Sequence, residues 1–134
     1  SSVSFRHLAM LAQVKSDEEI IQSLGRDISD KLARMRSWIS GAYFPPELRI
    51  SVRNEIISGI DSNISNALAE SLGDCDWNPK AIGDSISSCF KNNEISPKEG
   101  YRNLYLAILG VEKGPRLAPI LSELERTRVL DLLG

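Results

Sequence analysis

Apolar residues recur at helical spacing along nearly all of this chain, and a cap, glycine or proline breaks every run before it grows long. Such a pattern permits short helices and little else, because strands would show a period of two and none is convincing. Phe5, Leu8, Ala9, Leu11 and Ala12 predict a first helix. Ser16 followed by Glu19 spells a capping box, in which hydroxyl and carboxylate take up free amides of the first turn. Ile20, Ile21 and Leu24 lie behind it, and Gly25 suits the helix end. Asp27 or Ser29 opens the next helix, striped by Ile28, Leu32, Met35 and Ile39 and stopped by Gly41. Pro45 and Pro46 form a stiff link. Beyond it, Leu48, Val52, Ile56 and Ile60 at i, i+4 spacing predict a helix with Arg49 and Arg53 as a neighbouring row.

Ile64, Leu68 and Leu72 predict a helix over 62–72, ended by Gly73. GDCDWNP at 73–79 reads as a loop. Asn78 caps a helix from Pro79 that buries Ile82, Ile86, Cys89 and Phe90. Ser96, Pro97 and Glu99 start another, carrying Tyr101, Leu104, Tyr105, Ile108 and Leu109 to Gly110. Leu117, Ile120, Leu121 and Leu124 mark one more, and Val129, Leu130, Leu132 and Leu133 close the chain. The fold class is all-α: a compact, irregular bundle or superhelix of about eight short helices. No heptad pattern persists, which excludes a coiled coil. A length of 134 residues suits one domain, 1–134, or two small helical subdomains parted near 73–79.

Composition excludes several functions. The apolar fraction of 42% and charged fraction of 25% are ordinary for a folded, water-soluble domain. No apolar run reaches the roughly 20 residues that cross a bilayer, and Arg6 and His7 interrupt the early apolar stretch where a signal peptide would lie. With one histidine and two widely separated cysteines, Cys75 and Cys89, no zinc site can be built. The thiols read as reduced and structural, as in a cytosolic protein. There is no phosphate loop, HExxH, nucleophile elbow or carboxylate pair in an apolar setting, so no catalytic residue is expected. Neither His7, beside an apolar helix, nor Cys75, in an acidic loop, suits catalysis.

Binding is left. The net charge of −2 conceals an uneven distribution. Residues 26–53 carry six basic and three acidic side chains, 54–76 carry five acidic and none basic, and 98–116 carry four basic and two acidic. A chain that is acidic overall can still present one positive face, although an ordinary solvated surface fits the same counts. Lys98, Tyr101, Arg102 and Tyr105 fall on one side of their helix. In GVEKGPRLAPIL, residues 110–121, Lys113 and Arg116 flank Gly114 and Pro115. Pro115 is placed to open the next helix, whose free amides would suit an anion. Arginine and tyrosine suit a splayed nucleotide. On residues alone two readings stay open: a nucleic-acid site, or a helical corner with core tyrosines.

YRNLYLAILGVEKGPRLAPIL, at 101–121, resembles the closing segment of class I lysyl-tRNA synthetases: an aromatic-Arg start, a helix end like Y-x-x-L-L-G, and a corner like K-G-P-R-x-G. SFRHLAMLAQV at 4–14 resembles the entry to that family's C-terminal helical region, and SDEEIIQSL and RMRSWI are similar to stretches between. Ala118 departs from the family's usual glycine, and Val111 from a more polar residue. ILG and KGPR, rather than a T-G and S-P pattern, favour lysine over a glutamyl-type synthetase. The resemblance implies a C-terminal anticodon-binding domain, an α-helical cage, from a cytoplasmic ATP-dependent ligase. Its partners would be the anticodon stem-loop of a lysine tRNA and the N-terminal catalytic domain in cis, in a monomer. The segment itself would hold no cofactor; ATP belongs to the catalytic part, whose HIGH and KMSKS signatures are absent here. Carried over, Lys113, Gly114, Pro115 and Arg116 lie in the anticodon-recognition region beside Arg102, with Tyr101 and Tyr105 as stacking or core residues. Arg34, Arg36, Arg49 and Arg53, with Trp38, are weaker candidates for the RNA backbone, and Trp77 either stacks or covers a core edge. The other class of function is a helical protein-interaction module that docks a basic partner on its acidic 54–76 face.

Overall fold

A computed structural model describes residues 3–134. Eight α-helices, and no strand, occur among them. They are α1 (Phe5–Val14), α2 (Asp17–Leu24), α3 (Ser29–Ser40), α4 (Ser62–Asp74), α5 (Pro79–Asn92), α6 (Pro97–Leu109), α7 (Leu117–Ser122) and α8 (Arg126–Leu133), with 3-10 turns at Arg26–Ile28 and Pro46–Leu48. The all-α class and the number of helices agree with the sequence.

Local chemistry sets most boundaries. The amide of Glu19 donates to Ser16 Oγ at 3.2 Å while Glu19 Oε1 accepts from the Ser16 amide at 3.0 Å, so the capping box forms. Asn78 and Ser96 each cap their helices ahead of a proline. Gly110 ends α6 with a left-handed φ of 71°, a conformation that disfavours any side chain.

One predicted helix does not form. Between Leu48 and Asp61 the chain is irregular, despite the i, i+4 pattern. Its apolar residues are mostly β-branched and are interspersed with Ser51, Asn54, Ser58 and Gly59, all weak helix formers. Ile56 is 60% exposed, and Gly59 has φ +92°. Tertiary bonds replace the helical ones: the Arg53 amide donates to Ile108 O at 2.8 Å.

The chain forms two compact units, 1–51 and 52–134, so the division falls at this irregular segment rather than at 73–79. Helix α4 runs past Gly73, the stop expected from the sequence, to Asp74, and the shorter loop 75–78 is tied inside the second unit. Trp77 Nε1 donates to Leu124 O at 2.7 Å, and Arg126 donates to the Leu72 and Gly73 carbonyls while lying 4.9 Å from the Trp77 ring centre. Trp77 therefore covers a core edge.

In the first unit, α1 packs on α3 and α2 through Leu8, Leu11, Ile20, Ile28, Leu32 and Met35. Gln13 holds the following segment, donating to Leu48 O at 2.8 Å and accepting from the Ile50 amide at 2.7 Å. In the second unit, α4 packs on α5 and α8, α5 on α7, and α6 on α8. Its core includes Leu68, Leu72, Ile82, Ile86, Leu104 and Ile108. One buried polar knot crosses it: Asn103 accepts from the Asp61 amide at 2.7 Å and donates to Ser65 Oγ at 2.9 Å, which binds the start of α4 to α6.

Candidate nucleic-acid interface

The corner after α6 is built by its own helix. Tyr105 stands one turn before the helix end, and its hydroxyl reaches Pro115 O at 2.6 Å and Gly114 O at 3.1 Å. Gly114 packs on the same ring, where an added Cβ would lie 3.5 Å from the ring edge. The half-buried Tyr105 hydroxyl has a raised pKa, chiefly through burial and then through Tyr101, with Arg116 opposing. Tyr101 is also half-buried. It meets the Phe90 ring edge-on at 5.2 Å, and its centre lies 6.5 Å from that of Tyr105. The tyrosines thus form a row running from the core to the corner.

Lys113, Gly114 and Arg116 are exposed and Pro115 is half-buried. Neither Lys113 nor Arg116 is ion-paired among the described residues. Arg102 is exposed too, but its Nε and Nη2 both donate to Glu112 Oε1, at 3.1 and 2.9 Å. Glu112 stands one residue before Lys113, and nothing in the sequence spacing pointed to its pairing with Arg102.

The helix after the corner differs from expectation. Pro115 lies outside it; α7 starts at Leu117, and Arg116 occupies the cap position without a side-chain capping bond. With only six residues, and with Pro119 removing one amide from its first turn, α7 makes a poor anion-binding terminus. The positive character of this corner rests on its side chains.

The weaker candidates separate. Arg36 is structural: Nε meets Asp17 at 2.7 Å, Nη2 donates to Lys15 O at 3.0 Å, and Nη1 donates to Ala12 O. Arg49 donates to Ile39 O at 3.0 Å and lies over the Phe44 ring. Trp38 packs between Phe5 and Phe44, with ring centres 4.7 and 4.6 Å away. Arg34 is exposed on α3, at an open groove of about 570 Å³ that Phe5, Leu8, Met35 and Trp38 also line. Arg53 is half-buried, with its guanidinium against Gly110.

His7 is exposed, and its amide is held by Ser4 Oγ. Both cysteines are free thiols. No group of three or more metal-ligating side chains occurs among the described residues, and none of the described helices is long and apolar enough to cross a membrane.

No family model matches the sequence. Individual curated proteins do. The lysine–tRNA ligase of Picrophilus torridus is 23% identical over 141 residues, which cover 96% of this chain and 28% of that protein. The chain resembles a lysine–tRNA ligase. The lysine–tRNA ligase of Thermoplasma acidophilum is 25% identical over 91% of the chain, and that of Archaeoglobus fulgidus 26% identical over 92%. The chain spans about 28% of the length of these ligase relatives. The P. torridus match leaves out only a few residues of this chain, so the similarity reaches into both units.

Proposed function

We propose that this chain is the tRNA anticodon-binding part of a class I lysine–tRNA ligase. The similarity to lysine–tRNA ligases along 91–99% of the chain carries this reading. The all-helical architecture and the positive, tyrosine-anchored corner support it. In this reading Lys113 and Arg116 meet RNA phosphates, and Arg102 joins them when RNA competes with Glu112. Gly114 and Pro115 give the corner its shape, and the Tyr101 and Tyr105 rings brace it from behind. The larger protein activates lysine with ATP and transfers it to tRNA in the cytoplasm. The present segment contributes recognition.

The direct test is a gel shift with lysine tRNA and with the same tRNA altered in its anticodon. Preference for the unaltered tRNA is expected, with affinity falling steeply as salt rises. Arg116→Ala should weaken binding more than Lys91→Ala, a change of the same charge far along the chain on α5. Equal affinity of the two variants would remove the corner from the interface.

A further inference from the structure

A second basic feature lies at the head of the same corner. Arg53 is fixed by its main chain: its amide donates to Ile108 O at 2.8 Å, and its carbonyl accepts from Arg128 Nη2 at 3.4 Å. Its side chain lies on Gly110. A Cβ added there would stand 3.0 Å from Arg53 Nη1 and 3.3 Å from Cδ. Yet the guanidinium makes no hydrogen bond among the described residues, and its Nε is buried without a partner. Buried polar atoms are nearly always paired, so an orphan on a cation points to an absent acceptor.

Arg128, on α8, brings a second guanidinium to the main chain of the same residue. Among the described residues its Nη2 makes long contacts, to Arg53 O and to Asn54 Oδ1 at 3.3 Å. Glu55 follows Asn54, and Glu125 and Asp131 stand three residues either side of Arg128. None of these carboxylates is ion-paired with either arginine. Arg126, on the same helix, is occupied by the Leu72 and Gly73 carbonyls and by the Trp77 ring. Two forked donors, incompletely satisfied and not ion-paired among the described residues, suit an oxyanion such as a phosphate.

We infer that Arg53 and Arg128 form a phosphate-binding site beside Gly110, which grips a backbone phosphate of the RNA held at the 110–116 corner. This rests on the RNA-binding reading for the source of the phosphate, while the anion chemistry stands apart from it. Gly110 is part of the device: it ends α6 and leaves the space that Arg53 fills.

The test uses the chain, Arg128→Gln, Arg128→Lys and the charge-matched control Lys91→Gln in two assays. In RNA titrations over a salt series, Arg128→Gln should bind several-fold more weakly, and its log–log salt slope should be shallower by about 0.7–1, one phosphate contact. Arg128→Lys should recover part of the loss, and Lys91→Gln should match the parent chain. In thermal unfolding, inorganic phosphate should protect the parent chain more than chloride at equal ionic strength, and Arg128→Gln should lose that protection. Unchanged RNA affinity, slope and phosphate protection in Arg128→Gln overturn the site while leaving the proposed function standing. Phosphate protection that depends on Arg128, in a chain that binds no tRNA, keeps the anion site and overturns RNA as its source. Loss of affinity equal to that of Lys91→Gln also overturns the site, since a general charge effect then suffices.

Discussion

Gly100 sits in the first turn of α6 against the buried Phe90 ring, and replacing it with alanine sets two effects against each other. A Cβ at residue 100 would lie 2.4 Å from Phe90 Cε1 and Cζ and 2.8 Å from Cδ1. Carbon atoms in contact prefer about 3.5–4.0 Å, so the ring must retreat by roughly an ångström. Phe90 is 3% exposed and is held edge-on against Tyr101, which leaves it no free direction. Overpacking of this kind costs about 1–3 kcal/mol. Against it stands the ordinary gain of about 0.5–1 kcal/mol for glycine to alanine inside a helix. The expected net result is a loss of up to about 2.5 kcal/mol for Gly100→Ala, read by urea unfolding as a lower midpoint with an unchanged slope. Phe90→Leu removes the ring edge, so Gly100→Ala in that background should cost nothing or stabilise. The coupling of the two changes, measured as a double-mutant cycle, isolates the contact. Stabilisation of the parent by Gly100→Ala, or an equal effect of the change in both backgrounds, refutes the close packing of Phe90 on α6.

Three further outcomes follow from the site and the knot behind it. Tyr105→Phe removes the hydroxyl anchor of Gly114 and Pro115 and should cost about 1 kcal/mol in chemical unfolding. Because burial raises the Tyr105 pKa above its model-peptide value of 10.0, this group's contribution is complete below pH 10 and is lost as pH rises through the folded value; Tyr105→Phe should flatten that alkaline loss in a pH series. Asn103→Ala strands the Asp61 amide and Ser65 hydroxyl in the core and should cost about 1–3 kcal/mol, visible as a lower thermal midpoint. Glu112→Gln releases Arg102 and removes a negative charge from the corner, so it should strengthen tRNA binding in a filter assay and steepen its salt dependence.

Helix ends were legible because their chemistry is local. Ser16 with Glu19, Asn78 before Pro79, Ser96 before Pro97, and Gly110 each act within one turn of the chain, and each forms the predicted cap or stop. The 48–60 segment was misread because its apolar spacing is helical while its bonds are not. The partner of the Arg53 amide is Ile108, in another part of the chain, and periodicity carries no trace of it. The same limit applies to the arginines. Arg36, Arg49 and Arg53 look alike in sequence, yet carbonyls from separate segments occupy the first two, whereas the buried Nε of the third has no partner among the described residues. At the corner, the basic residues and tyrosines were readable from spacing, whereas the Arg102–Glu112 pair and the late start of α7 depend on the path the loop takes. Asn103 gave no signal, since a polar residue at a helical core position is recognised only through the partners folding brings to it.

The central claim is recognition of a lysine tRNA through its anticodon. It is tested most directly by titrating the chain with lysine tRNA and with tRNAs differing only at the anticodon, at fixed ionic strength. Tighter binding of the unaltered tRNA, weakened by Arg116→Ala, is the predicted result. Equal affinity for every anticodon, or no binding at low salt, would contradict the account.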